Sequence, residues 1–386
     1  MKEKYEILLV GDVYDNHLKR LIRYLKGYNP NAVIDVLSFK RDYENYIGDI
    51  DGIVRDIFYI KPLPDKLKGI PILSTSTLLY NIKKRVRKLN TKRYNCINIH
   101  FPYWLWNICI HDFKKMTPTL LLSPWGSDVY RIGKKERKKL TKLYNAANYV
   151  GCSSERFVHD VKEKFNVPDD KIVNLKIGSE TIDYIYEYSS KISPEQAKQR
   201  LNIEGKYAIT CGYNGSPAQN HISMIEAIAT HKESLPKNLI LLFPVTYLHD
   251  DAYIDKLKES LKTHHLEGLF FEKYLSVEDL FLLRQATDMF IHVQNTDAAN
   301  STLKEYILCG KVCLNGSWLE YHDLKKMSPV PYHQVKSMAT LGNDIVDAYN
   351  AKKTLVSEES QKYIASLGWK ACIKDWDVFF SACIKS

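Results

Sequence analysis

The chain has 386 residues, 45% of them hydrophobic and 12% aromatic, with 26 tyrosines. That composition lies outside the disordered class, and at roughly 100–200 residues per domain the length points to two domains. Lys and Arg number 55 against 45 Asp and Glu, a net charge of +10, and no recognised nucleic-acid motif accompanies it, so a nucleic-acid partner is not expected.

Ile7-Leu8-Leu9-Val10 is too short an apolar run for a signal peptide and reads as a first buried strand. No stretch approaches the ~18–20 apolar residues of a membrane span. Strands are expected over 5–11, 32–37, 52–60, 96–100, 119–123, 149–153 and 171–176. Helical periodicity lies between several of them, over 16–27, 76–89, 134–147 and 154–165. Short strands alternating with longer helices signify a parallel sheet covered on both faces. The pattern loosens over 178–203, where Ser193-Pro194-Glu195 opens a short helix and an interdomain connection is expected. Strands are then expected at 207–213, 238–245, 268–273, 289–294 and 311–315, with helices at 220–231, 251–261, 277–287 and 302–309. The tail, 358–386, reads as helical, with Trp369, Trp376, Phe379 and Phe380 as packing residues.

The expected organisation is two Rossmann-like, doubly wound α/β domains facing a cleft. One spans residues 1–185 and the other 200–364, with a helix near 365–386 free to pack back on the first. Ligands in such sheets bind outside the carboxyl ends of the strands. Eight cysteines (96, 109, 152, 211, 309, 313, 372 and 383) show no CxxC pair and no His at zinc spacing. They read as reduced thiols of a cytoplasmic protein without a structural metal. Two basic clusters, Lys83-Lys84-Arg85 with Arg87-Lys88 and the run from Lys134 to Lys139, lie in the first half. They are either solvated helix faces or a patch for anionic lipid headgroups or a pyrophosphate-bearing acceptor.

Two loops carry the strongest chemical signal. Cys211-Gly212-Tyr213-Asn214-Gly215-Ser216-Pro217-Ala218-Gln219-Asn220-His221 follows a strand and opens a helix. Its glycines let the backbone approach a ligand, and the helix start offers amides to a diphosphate; the alternative is an ordinary tight turn. The second, Gln294 to Glu305, again joins a strand to a helix. Asn300 or Ser301 can cap that helix, and the amides of Ser301 and Thr302 suit phosphate oxygens. Glu305, two turns beyond Asp297, can accept both hydroxyls of a ribose; the alternative is a surface Asp and a Glu ion-paired within its helix.

These residues resemble the GT-B class of glycosyltransferases, best over residues 207–318. Asp297 to Glu305 is similar to the E-x7-E element of the retaining family four, with Asp in place of the first Glu. The run Gly212 to Ile222 is closer to the family that adds 4-acetamido-4,6-dideoxygalactose (Fuc4NAc) in enterobacterial common antigen assembly. Phe243-Pro244-Val245, Ala252-Tyr253-Ile254 and Leu282-Leu283-Arg284-Gln285-Ala286 resemble that family as well. In the first half, Asn98-Ile99-His100 and Trp125-Gly126-Ser127-Asp128 match more loosely.

The resemblance implies that Glu305 binds the donor ribose, that Asp297 lies near the transferred sugar, and that the backbone around Asn214, Gly215 and Ser216 and at Ser301 and Thr302 holds the diphosphate. Tyr274 would lie by the base, and Gly11 and Asp12 would face the leaving phosphate or the acceptor. The loop from Gly212 to His221 lacks the Arg and Lys usual in family four. Backbone amides, His221 at the Asn220 helix start, or a Lys from elsewhere would supply that charge. On the acceptor side, His100 can orient a hydroxyl or act as base, Trp125 can stack on a sugar, and Asp128 can accept a sugar hydroxyl. His17 is a further candidate. Asp49-Ile50-Asp51 and Asp375-Trp376-Asp377 read as surface carboxylates and not as metal ligands.

The expected activity is transfer of a sugar from a nucleoside-diphosphate sugar to a saccharide or lipid-linked acceptor in bacterial surface polysaccharide synthesis. It would need no cofactor or metal, retention of configuration is favoured, and contact with an anionic membrane is expected. The alternatives are a nucleotide-sugar 2-epimerase on the same scaffold and a non-catalytic basic lipid-binding module. The absence of GxGxxG after the first strand argues against a dinucleotide oxidoreductase.

Overall fold

A computed structural model describes residues 2–40, 50–64, 66, 70–297, 301–351 and 356–385. The chain divides into two compact units, Met1–Gly178 with Trp369–Ser386, and Ser179–Gly368.

Unit 1 begins with β1 (Glu6–Val10), α1 (Asn16–Tyr28), β2 (Val33–Phe39), β3 (Asp56–Ile60), α2 (Pro71–Arg87) and β4 (Cys96–His100). A 3-10 segment, Trp104–Cys109, leads into α3 (Ile110–Met116). Then come β5 (Thr119–Ser123), α4 (Ser127–Tyr130), α5 (Lys134–Ala146), β6 (Tyr149–Cys152), α6 (Glu155–Phe165) and β7 (Ile172–Asn174). All seven strands are parallel, in the order β3-β2-β1-β4-β5-β6-β7. The central strands are continuous apolar runs because helices cover both faces. α1 shows why the helices dock. Leu18, Leu21, Ile22 and Leu25 fall on one stripe, and the Asp15 side chain caps the start by accepting from His17 N at 2.7 Å.

Unit 2 comprises α7 (Glu180–Tyr188), α8 (Pro194–Arg200), β8 (Tyr207–Cys211), α9 (His221–Thr230), β9 (Leu239–Pro244), α10 (Asp251–Thr263), β10 (Gly268–Phe271) and α11 (Val277–Ala286). It continues with β11 (Met289–His292), α12 (Ser301–Leu308), β12 (Val312–Gly316), α13 (His322–Lys325), β13 (His333–Val335), α14 (Leu341–Ala351) and α15 (Glu358–Ala365). Its six parallel strands run β10-β9-β8-β11-β12-β13. The chain then returns to unit 1 as α16 (Trp369–Ala382).

Both sheets thus reverse strand order near their middle, between β1 and β4 and between β8 and β11. Several expectations shift. The stretch 178–203 holds more helix than expected: α7, whose Ile182 and Ile185 join the unit 2 core, precedes α8, the short helix expected at Ser193, which is capped by a Ser193–Gln196 box. α2 starts at Pro71, five residues ahead of Ser76, because proline fits a first helical turn. The strand expected from Gly52 begins only at Asp56, and β10 stops at Phe271. β13, α13 and α14 were not anticipated.

The Asp-x-Asp strings also divide. Asp49 lies outside the described residues, and Asp51 and Asp375 are exposed. Asp377 is not a surface carboxylate. It is buried and accepts from the Tyr5 hydroxyl at 2.8 Å and the Asn29 amide at 2.7 Å. That pair of bonds locks α16 against β1 and the end of α1. Trp369, Trp376 and Phe380 pack beside them in the core that α1 shares, and Trp376 Nε1 donates to the Lys176 carbonyl.

Trp376→Ala should therefore cost unit 1 about 3–5 kcal/mol, the usual range for emptying a buried aromatic site. Hydrogen exchange should show protection lost in β1, β4 and α1 and retained in β8 and β11.

Candidate functional site

Open parallel sheets bind ligands where the strand order reverses, outside the carboxyl ends. In unit 1 this point is bounded by Gly11 after β1, His100 at the end of β4, and the turn after β5. Asn98 and His100, two apart on β4, project to the same face. The Ser123 hydroxyl donates to Asn98 Oδ1 at 2.8 Å, and Asn98 Nδ2 lies 2.9 Å from His100 Nε2. The His100 ring lies nearly parallel to Trp376 of α16 and meets Trp125 edge-on, each with centroids 6.0 Å apart. Burial holds its pKa down to about 3, so the imidazole is neutral. A Cβ on Gly11 would stand 3.2 Å from that of His100, so glycine lets the two strand ends run this close. Asp12 closes a turn, its Oδ1 accepting from Tyr14 N.

Trp125 is the hub of the expected acceptor residues. Its ring meets His17 at 5.2 Å and Phe101 at 5.8 Å, both edge-on. Phe101 has φ +50°, a costly conformation for a bulky residue, and is 42% exposed. Asp128 Oδ1 accepts from the amides of Trp125 and Gly126 at 2.9 and 2.8 Å. Its other oxygen, and Trp125 Nε1, are buried without a hydrogen-bond partner among the described residues. Asp35 makes the contrast within the same unit. It too is buried, yet it receives bonds from Arg55, Tyr94 and Lys92, which outweigh burial and hold its pKa low. Among the described residues no cation pairs with Asp128, and burial pushes its pKa up to about 6.

In unit 2 the reversal joins the loops after β8 and β11. Gln219 Nε2 donates to Gln294 Oε1 at 2.5 Å, Asn220 Nδ2 to the Val293 carbonyl at 2.8 Å, and Asn295 N to the Ala218 carbonyl at 3.0 Å. Gly212, at φ +63°, has no room for a side chain, because a Cβ would lie 2.7 Å from Gln219 Oε1. Gly215 is pressed against the Leu248 carbonyl. The first loop is zipped to the second, but its amides are not open as expected. Gly215 N donates to the Tyr247 carbonyl, Ser216 N to Asn214 Oδ1, Ala218 N to Ser216 Oγ, and Tyr213 N to Gln219 Oε1. Of the amides expected to cradle a diphosphate at Asn214, Gly215 and Ser216, those of Gly215 and Ser216 are thus engaged, one by Tyr247 and the other by the Asn214 side chain.

The helix start differs. Side chains of Ser179, Ser193, Asp250, Ser276 and Ser357 cap α7, α8, α10, α11 and α15, whereas Asn220 makes no side-chain cap to α9. Asn220 sits at φ +65° with its amide turned to the second loop. His221, behind it, is buried with its pKa lowered to about 4.

Asp297 accepts from the Tyr321 hydroxyl at 2.5 Å and lies 3.8 Å from His292 Nε2. The other ring nitrogen of His292 faces Asn315 Oδ1 at 2.8 Å, and both Asn315 N–H groups go to carbonyls, so His292 Nδ1 carries the proton. Tyr213 adjoins Gln219, Gln294 and Asp297. Glu305 is placed differently from expectation. It is 4% exposed, with Oε2 held by Arg284 Nε and Nη2 at 3.3 and 3.2 Å and Oε1 accepting from the Ser179 hydroxyl at 3.2 Å. Its carboxylate is therefore engaged in a buried ion pair. Ser301 and Thr302 open α12. Asn300, expected as its cap, lies outside the described residues. Tyr274 is 77% exposed in the loop after β10.

Sequence reasoning gave no role to Ser123, Phe101, Gln219, Gln294, His292 or Tyr321, and quoted Asn98 only as part of a motif. Gln219 and Gln294 stood inside the two quoted loops, and a buried polar residue beside a strand end was the available signal. Tyr321 carried none, and Trp376 was read as a packing residue of the tail without its place beside His100.

No family profile and no curated protein matches the chain. Solved structures do match along its whole length. A glycosyltransferase from Rickettsia africae shares 15% identity at a TM-score of 0.73, covering 100% of both chains. Sucrose-phosphate synthase from Thermosynechococcus elongatus shares 13% at 0.70, over 99% of this chain and 100% of that one. Anabaena HepE in complex with UDP-glucose shares 15% at 0.65, over 98% and 100%. At these identities the likeness is one of fold, and the fold is GT-B. No described helix is long and apolar enough to cross a membrane.

The Asp128 environment makes a pH prediction. Its folded pKa lies above the unfolded value, so its contribution to stability is full below about pH 4 and is lost as pH rises through about 6. Asp128→Asn keeps the Oδ1 acceptor and cannot ionise. The variant should lose that slope and be more stable than the parent at neutral pH by on the order of 2–3 kcal/mol in urea melts.

Proposed function

We propose that the protein is a glycosyltransferase that moves a sugar from a nucleoside-diphosphate sugar to a saccharide or lipid-linked acceptor in bacterial surface-polysaccharide synthesis. One observation carries this reading. In a chain with the GT-B fold along its whole length, α9 starts without a side-chain cap beside the strand-order reversal of unit 2. Uncapped amides and the positive end of the helix dipole suit a diphosphate, which moves the expected phosphate contact from Asn214–Ser216 to the start of α9.

As the sugar departs, negative charge grows on the diphosphate, and amides already aimed at it stabilise that charge without reorganisation. They stand in for the cation that other transferases use, so the reaction is written without a metal. Asp297, held by Tyr321, orients the sugar. We assign the ribose to Glu305 through Oε1, where its hydroxyls would replace Ser179. The Asp297–Glu305 spacing inclines us to family four and to retention, with the departing phosphate oxygen taking the acceptor's proton. On unit 1, Trp125 Nε1 and the unpartnered Asp128 oxygen bind acceptor hydroxyls, while neutral His100 orients the attacking one. A uridine donor is the first to try, since HepE was solved with UDP-glucose.

The reading is tested by thermal shift and calorimetry with UDP, GDP, TDP and CMP, followed by turnover with the matching sugar donors. A nucleoside diphosphate should raise the melting temperature, and EDTA should leave turnover unchanged. Gly212→Val should weaken nucleotide binding by about tenfold or more. Asp297→Asn should keep nucleotide affinity and lower kcat by about a hundredfold, the scale of losing one transition-state contact. No shift with any of the four nucleotides would refute the proposal.

A further inference from the structure

α2, α3 and α5 bury their inner stripes in the same core, on one side of the unit 1 sheet, and all three pack around the 3-10 segment Trp104–Cys109. Their outer faces are unusual in both charge and polarity. α2 turns Ile72, Ser76, Tyr80, Lys84 and Lys88 outward at four-residue spacing, one continuous stripe along the helix. Its first half is apolar: Ile72 is 81% exposed and Tyr80 62%, and Leu73 and Ile70 are exposed beside them. Its second half is basic, with Lys84, Arg87 and Lys88 exposed.

The neighbouring helices continue the charge. α3 exposes Lys114 and Lys115, and α5 exposes lysines at 134, 135, 138, 139 and 142. No carboxylate on these three helices is exposed. α2 contains none, Asp112 is buried against Lys83 at 2.5 Å, and Glu136 is half-buried. Lys139 lies over the half-buried Trp104 ring at 4.3 Å, and Tyr103 beside it is exposed.

We propose that this face of unit 1 docks on an anionic bilayer surface, with Ile72 and Leu73 entering the headgroup–acyl boundary and the lysines of α2, α3 and α5 among the headgroups. Charge alone would also suit a polyanion in solution. The apolar half of the α2 stripe decides between them, because a nucleic-acid backbone offers nothing to bury Ile72 and Leu73, whereas a bilayer interface does. Tyr80, Tyr103 and Trp104 are the ring types that settle at headgroup level. The docking extends the membrane-borne acceptor of the proposed function and rests on that reading for its purpose. It is measured without donor or acceptor, so either can fail alone.

The experiment is flotation of the full chain with phosphatidylcholine vesicles, with and without phosphatidylglycerol, across a salt series. Binding is expected only with phosphatidylglycerol, falling as salt rises. At about fivefold per basic residue, reversing Lys134, Lys135 and Lys138 to Glu should cost about a hundredfold or more. Ile72→Ser with Leu73→Ser should weaken binding at fixed charge. Lys256→Glu with Lys262→Glu, on α10 of unit 2, should leave it unchanged, and circular dichroism should show every variant folded. Equal binding to neutral vesicles, no binding to either, insensitivity to the α5 reversals or to the Ile72/Leu73 pair, or retention of duplex DNA in place of vesicles would each overturn the proposal.

Discussion

Both units depend on one constraint: polar side chains placed where buried parallel strands run out have no water to turn to, and must satisfy one another. In unit 1 these are Asn98, His100 and Ser123, and in unit 2 Gln219, Gln294, His292 and Asn315, all nearly or wholly inaccessible. A buried amide or imidazole without a partner costs free energy comparable to a lost hydrogen bond. Chains such as Ser123–Asn98–His100 and Gln219–Gln294 therefore form, and they fix ring and amide orientations at the reversal of each sheet. The loops that carry chemistry are attached to these fixed points.

Four buried carboxylates show how far environment outweighs residue type. Asp35 is surrounded by donors and stays acidic, and Asp377 is held by Tyr5 and Asn29, with Lys2 at 3.9 Å, and acts as a fastener. Glu305 is matched to Arg284 inside unit 2. Asp128 accepts only from backbone amides in its own turn and keeps one oxygen unpartnered, so burial dominates and its affinity for a proton rises. Of the four, it is the one whose surroundings leave binding capacity in reserve.

The fold was legible because its determinants are local: apolar runs of strand length, helical stripes, and Ser or Asp at helix starts. What escaped was short or distant. β13 and α13 are three and four residues long, too brief for periodicity to register. At the site, the loop of Gly212 was correctly placed after a strand and before a helix, but its small polar residues point two ways. Asn, Ser and Gln favour turns because their side chains bond the nearby backbone, so the composition that suggested open amides is what closes them. The partner of Glu305 lies 21 residues away on another helix, and spacing along one helix carries no information about what a neighbouring helix presents. His100 was found as a strand-end histidine. Its stacking on Trp376, 276 positions later, depends on the return of the chain.

That return has a consequence for how the protein comes into being. The core between α1 and the first sheet is completed by Trp369, Trp376 and Phe380, which leave the ribosome only after all of unit 2 has been made. The second unit, continuous in sequence from Ser179 to Gly368, can close on itself while the first still waits with an apolar face uncovered. During that interval the nascent amino-terminal half is the part that needs a chaperone's shelter.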